Sequence, residues 1–173
     1  MSDVSNVLKK GMSTEIWGKR FYTQAAERTQ DETGQRIFQS LCDEEERHLE
    51  LLMGQYAAVS KDKDWVSVDE AMELAESVEP TDIFPEAGEA ECLIPEEASD
   101  VEALEMAMDF ERRGYNLYTQ AAKDAANPEE KAVWEFLAKA ENKHYVFLEE
   151  SHSYLVNEGK WYFDEQELPF FEG

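Results

Sequence analysis

Residues 15–26 read EIWGKRFYTQAA, and residues 111–122 read ERRGYNLYTQAA. An offset of 96 residues, Glu15 to Glu111, superimposes Gly18 on Gly114, Tyr22 on Tyr118 and the whole TQAA run. The register then persists without a gap. Phe38 meets Trp134, Leu41 meets Leu137, Glu45 meets Glu141, His48 meets His144, and Leu52 meets Leu148. A long unit present twice is not a solenoid array; it is one supersecondary element used two times.

Each unit reads as a helical hairpin. Residues 12–29 and 106–124 carry apolar and small side chains at helical spacing, among them Met12, Phe21, Ala25 and Ala26. Breakers follow: Gln30-Asp31-Glu32-Thr33-Gly34 in the first copy, Asn127-Pro128 in the second. Asn127 is placed to cap a helix that has Pro128 at its first position. The next helix of the first copy carries Ile37, Phe38, Leu41, Leu49 and Leu52. Its counterpart carries Val133, Trp134, Leu137, Ala138 and Leu148. Short turns make the members of each pair antiparallel neighbours, so the fold class is all-α, a four-helix bundle of two hairpins.

The expected boundaries are a bundle over 1–159, with hairpins at 12–56 and 103–156, and an aromatic tail over 160–173 that packs on it or docks a partner. Residues 57–102, which hold Pro80, Pro85 and Pro95, form the crossover. Within it, 68–78 reads as a short helix capped by Ser67. The crossover is expected to bring the third long helix to the end of the bundle where the first begins.

Forty acidic residues against 16 basic ones give a formal net charge of -24. Phosphates would be repelled, which argues against nucleic acid and favours a cationic partner, a metal ion or a basic protein. Two cysteines, Cys42 and Cys92, make neither a disulfide framework nor a Cys-x-x-Cys pair. No apolar run is long enough for a signal peptide or a membrane span, so the expectation is a cytoplasmic protein.

Most of the acids read as a solvated surface. Four do not, because they interrupt core-facing stripes. Glu45 and His48 lie between Leu41 and Leu52, and Glu141 and His144 between Leu137 and Leu148. Glu15 shares a face with Met12, Gly18 and Tyr22; Glu111 shares one with Met108, Gly114 and Tyr118. A buried carboxylate without a partner costs several kcal/mol or neutralises itself. Metal ions are the obvious compensation.

The spacing agrees. Each of Glu15, Glu45, Glu111 and Glu141 stands about 15 residues from its turn, roughly 22 Å of helix. Both members of a pair therefore reach the same height. His48 and His144 follow their glutamates by three positions, on the same helix face. Four carboxylate charges balance two divalent ions, and the histidines bind neutral. Oxygen-rich sites with some nitrogen suit iron or manganese, and zinc binds them too.

This pattern resembles the ferritin-like di-iron carboxylate proteins, in which two helices give one glutamate each and two give Glu-x-x-His. The tyrosines at 22 and 118, seven residues after Glu15 and Glu111, are similar to those of the rubrerythrin branch. The resemblance covers about 12–56 and 106–152. It implies a ferritin-like bundle holding two iron ions on Glu15, Glu45, His48, Glu111, Glu141 and His144. It also implies reduction of hydrogen peroxide or dioxygen, and a homodimer. Two features depart from the branch. Rubrerythrins usually carry a four-cysteine rubredoxin-like domain, absent here, so an external electron donor such as a rubredoxin-like protein is expected. They also tend to carry a further glutamate one turn beyond the third-helix ligand, where this chain has Gly114.

On this reading Glu45 and Glu141 bridge, Glu15 and Glu111 are terminal, and each histidine binds one ion. Tyr22 and Tyr118 donate to ligand carboxylates or simply pack. The glycines at 18 and 114 allow close helix approach or leave room for the oxidant. His152 is a non-ligand, and Trp17, Trp134 and Cys42 read as packing residues rather than redox relays. The alternative function is ferroxidase and iron storage, as in ferritins.

Overall fold

The computed structural model describes residues 2–61, 63–78 and 92–162, with the side chains of residues 2 and 3 excepted. The described residues form five helices: α1 (Ser2–Arg28), α2 (Glu32–Val59), α3 (Val68–Ala75), α4 (Asp100–Asp124) and α5 (Pro128–Glu158). The long helices α1 and α2 pack as one hairpin, α4 and α5 as the other, and α1 meets α4 across the bundle.

Local chemistry sets the helix ends. Asp31 caps α2, its Oδ1 accepting from the Thr33 amide at 2.8 Å and the Gly34 amide at 3.3 Å. Asn127 caps α5 by accepting from the Glu130 amide at 2.7 Å, with Pro128 in the first turn. The turn before α2 is shorter than the breaker run suggests. Gly34 lies inside α2, where a Cβ would come within 2.6 Å of both Thr29 and Trp161. That glycine serves close packing, not chain reversal.

Helix α4 starts at Asp100 because Ser99 and Glu102 form a capping box. Helix α1 reaches back to Ser2, and its added turns bury Leu8 completely. In the crossover, Ser67 caps α3. Gly54 of α2 lies against the backbone of that helix, where a Cβ would stand 1.8 Å from the Ala71 carbonyl oxygen. Buried Gln55 clamps the chain before α3, its Nε2 donating to the Val66 carbonyl at 2.7 Å and its Oε1 accepting from the Val66 amide at 3.0 Å.

The crossover does not lead where expected. Arg28 Nη1 donates to the Pro95 carbonyl at 2.7 Å, and Thr29 Oγ1 to Asp100 Oδ1 at 3.2 Å. The start of α4 therefore lies beside the end of α1, and the two helices are antiparallel. The reason is elementary: a hairpin already returns the chain to the end where it began. Reaching that end needs no crossover, whereas a long connection carries the chain to the opposite end. The second hairpin is thus turned end over end relative to the first.

Two apolar clusters fill the bundle on either side of the buried acids. Leu8, Met12, Leu52, Trp65, Tyr118 and Trp134 belong to one. Phe21, Tyr22, Phe38, Leu41, Phe110 and Leu148 belong to the other. In the tail, Trp161 packs edge-on against Phe38 at 5.6 Å, and its indole donates to Asp100 Oδ2 at 3.2 Å. Residues 163–173 of that tail, like Pro80 and Pro85 of the crossover, lie outside the described residues.

Candidate metal centre

Four long helices each place one glutamate at mid-height in the core. Glu15, Glu45, Glu111 and Glu141 are all 0% exposed, His48 is 0% and His144 1%. Burial this complete follows from position, since each acid occupies a core-facing slot of its helix and large apolar residues seal both sides.

The six side chains converge. Ligand atoms of Glu15, Glu45, His48 and Glu141 lie within 4.8 Å of one another, and so do those of Glu45, Glu111, Glu141 and His144. Two four-residue groups therefore share Glu45 and Glu141. His48 Nδ1 is 3.4 Å from Glu15 Oε2, 3.4 Å from Glu141 Oε1 and 3.8 Å from Glu45 Oε2. His144 Nδ1 is 3.4 Å from Glu111 Oε2 and 3.4 Å from Glu45 Oε1. The two oxygens of Glu45 thus turn toward different histidines. The imidazole rings lie nearly parallel, 5.5 Å apart at 19°.

Each outer glutamate divides its oxygens between two tasks. Tyr118 donates its hydroxyl proton to Glu15 Oε1, and Tyr22 donates to Glu111 Oε1. The second oxygen of each faces the shared centre. There the unpartnered polar atoms gather: Glu15 Oε2, both oxygens of Glu45 and Glu141, Glu111 Oε2, and Nδ1 of both histidines. Buried polar atoms without partners are rare in native proteins, and each one calls for an explanation. A set made of carboxylate oxygens and imidazole nitrogens, pointed inward from four helices, has the chemistry that two metal ions need from their ligands. The residues fit such a group.

Electrostatics state the same demand. Burial pushes the Glu45 carboxyl well above its ordinary value, and the charge of Glu15 adds to the push. Burial does the same to Glu141, helped by the charges of Glu111 and Glu45. For Glu15 burial also pushes upward, but the close approach of Glu45 and His48 and the hydrogen bond from Tyr118 outweigh it, and the carboxyl lies below its usual range. Burial alone would lower both histidines. The nearby carboxylates of Glu141 and Glu15 instead raise His48 well above its ordinary value, and the charge of Glu111 raises His144. Without cations, the cluster holds itself together by keeping protons.

Gly18 and Gly114 are close-approach glycines. A Cβ at Gly114 would stand 2.3 Å from Glu141 Oε2, and one at Gly18 would stand 2.8 Å from Phe110 and 3.2 Å from the Glu45 carboxyl carbon. The space beside each glycine is taken up by an inner carboxylate. His152 lies outside the centre, 3.2 Å from Glu105 on the surface.

One nearby acid escapes sequence reasoning. Glu44 is buried, and a carboxylate oxygen lies within 4.8 Å of a ring nitrogen of both His48 and His144. It also pairs with Arg47 at 3.5 Å. Nothing in the acidic run 43–46 separates it from its solvated neighbours, and the matching position of the second copy is Ala140.

No curated protein matches the sequence. A solved structure of a hypothetical protein from Pyrococcus furiosus aligns with 94% of this chain and 96% of its own, with a TM-score of 0.69 and 22% identity. At that identity the likeness concerns the fold. The Rubrerythrin family model matches residues 6–152. Because that match takes in most of the chain and all six converging glutamates and histidines, this protein belongs to the rubrerythrin family, within the ferritin-like di-iron superfamily.

Proposed function

We propose that this protein is a di-iron oxidoreductase that reduces hydrogen peroxide or dioxygen and is re-reduced by an external electron donor. The observation that carries the reading is the pair of overlapping donor groups, unpartnered and fully buried, with Glu45 and Glu141 common to both. In this reading Glu45 and Glu141, common to both groups, would hold both iron ions. Glu15 with His48 would complete the donors of one ion, and Glu111 with His144 those of the other. The metal pair supplies redox chemistry: two ions held close together can deliver two electrons to one oxidant.

The chain's own residues do the rest. Tyr22 and Tyr118 hold the outer carboxylates in place, so that each turns one oxygen to the metals. The apolar clusters above and below exclude water, which strengthens every charge interaction inside. The protons that Glu45, Glu141 and the histidines keep in the absence of metal leave when ions bind.

Changing both bridging candidates, Glu45→Ala with Glu141→Ala, should abolish binding of two metals per chain, read by elemental analysis. Two ions retained would reject the site. Ferrous protein mixed with hydrogen peroxide should develop ferric absorbance faster than free ferrous iron; equal rates would leave a metal-binding protein without this activity.

Gly114 favours a second reading, ferroxidase and storage. The rubrerythrin resemblance leads one to expect a further glutamate at that position, and here no carboxylate stands there to serve the peroxide reduction of that branch. Solution mass separates the two. A homodimer supports the peroxidase reading, and a large shell holding many ferric ions per chain supports storage.

A further inference from the structure

The repeat offers an internal comparison on the two sides of the metal centre. Tyr118 stacks on Trp134 at 5.7 Å and 15°, and Trp134 meets Trp65 edge-on at 5.5 Å and 68°. On the other side Tyr22 stacks on Phe38 at 6.2 Å and 27°, and Phe38 meets Trp161 edge-on at 5.6 Å and 79°. Residues 38 and 134 occupy the same place in the two copies. The geometry is repeated, and the chemistry is not. An indole gives up an electron at potentials a strong biological oxidant reaches; a benzene ring does not.

Packing alone does not account for the tryptophan. Trp134 is 1% exposed, and its Nε1 is buried without a hydrogen-bond partner, an unfavourable arrangement that a phenylalanine would avoid. At the matching position of the other copy, Phe38 packs between Tyr22 and Trp161 with no such atom to satisfy. The same missing acceptor gives Trp134 the character of a relay: on losing an electron it keeps its proton, so the charge is free to move on. At the outer end Trp65 is held by the Gln55 clamp on the adjacent Val66 backbone and retains 7% exposure.

We propose that Tyr118, Trp134 and Trp65 form a single-electron relay between the metal centre and the protein surface, and that Phe38 closes the matching route through Tyr22. The proposal rests on the oxidative function argued above, with hydrogen peroxide as the oxidant. Once the ferrous pair has given both its electrons to one hydrogen peroxide, a second hydrogen peroxide at the ferric centre draws one electron from Tyr118, whose phenolic proton passes to Glu15 Oε1, to which it is hydrogen-bonded; a second pass along the relay, with protons from solvent, completes its reduction to water. Trp134 then gives one electron to the Tyr118 radical, and the proton returns from Glu15. Trp65 gives one electron to the Trp134 cation radical. An external reductant restores Trp65. Without one, Trp65 loses its indole proton to water, its radical adds dioxygen, and the resulting peroxyl radical takes a hydrogen atom from hydrogen peroxide to leave a tryptophan hydroperoxide, an oxygenated tryptophan.

The test follows that last step by peptide mass mapping. Ferrous-loaded protein is treated with excess hydrogen peroxide in air without reductant, and zinc-loaded protein reports damage by diffusing oxidant. Diffusing oxidant favours the more exposed Trp17 and Trp161; the relay favours Trp65. Oxygenation concentrated at Trp65 in the iron protein is the expected result. Trp134→Phe should return Trp65 to the zinc level, and Phe38→Trp should open oxygenation at Trp161. The second variant keeps the test available if the first does not fold. Trp65 left intact while the iron is oxidised overturns the relay alone, as does Trp65 modified equally in folded Trp134→Phe. Iron oxidised no faster than free ferrous ion overturns the proposed function and the relay together.

Discussion

Tyr22 and Tyr118 show how much one hydroxyl governs in a dry site. Each gives its proton to an outer glutamate and so decides which carboxylate oxygen is left for the centre. Burial pushes both phenols well above their ordinary value, Glu111 adding to the push on Tyr22 and Glu15 to that on Tyr118, so both remain proton donors at neutral pH. Tyr22→Phe removes the donor and leaves Glu111 Oε1 unpaired. Metal affinity should fall about tenfold or more while the bundle stays folded, as a loss of a partner behind a ligand usually does. Competition against a colorimetric chelator measures it. An unchanged affinity would show that the phenol merely fills space.

At the scale of elements, the contact of α2 with α3 rests on the absence of a side chain. Gly54 lets the Ala71 carbonyl approach to a distance that no Cβ tolerates, and the obstacle is backbone, which cannot rotate away. Gly54→Ala should therefore destabilise the protein by about 1–3 kcal/mol, the usual cost of overpacking. Urea denaturation reads the loss, and limited proteolysis should show faster cleavage near α3. A variant as stable as the parent would mean that α3 shifts at no cost. Gly114 differs in kind, because its obstacle is the end of a flexible carboxylate.

For the whole molecule, the buried cluster links stability to pH differently with and without metal. Glu45 and Glu141 are raised above their ordinary 4.5, and His48 and His144 above their ordinary 6.5. A raised group stabilises the fold fully below its unfolded value, and that contribution is lost as pH climbs through the folded value. Glu15, which is lowered, works in the reverse sense: its contribution is present above 4.5 and lost as pH falls through the lowered value. The raised groups outnumber it, and the net charge of -24 adds repulsion that grows with pH. Metal-free protein should thus become less stable as pH rises above 6.5, the ordinary value of the histidines. Metal-loaded protein should lose less, because ions take the place of the protons and only the surface repulsion remains. The gap between the two melting temperatures should widen over that range, and a constant gap would contradict the linkage.

The sequence by itself determined the repeat, the all-α hairpins, the caps at Ser67 and Asn127, and the six core-facing acids and imidazoles. Each of these follows from spacing along a single helix, where periodicity of 3.6 residues fixes which side chains share a face. Only the tertiary structure decided what happens between helices. It set α4 antiparallel to α1, gave each tyrosine to the glutamate of the other copy, placed Glu44 near both histidines, and seated Trp65 on Trp134. No local pattern encodes those choices, because they depend on which end of the bundle the crossover reaches. Residues far apart in the chain meet only once that end is set.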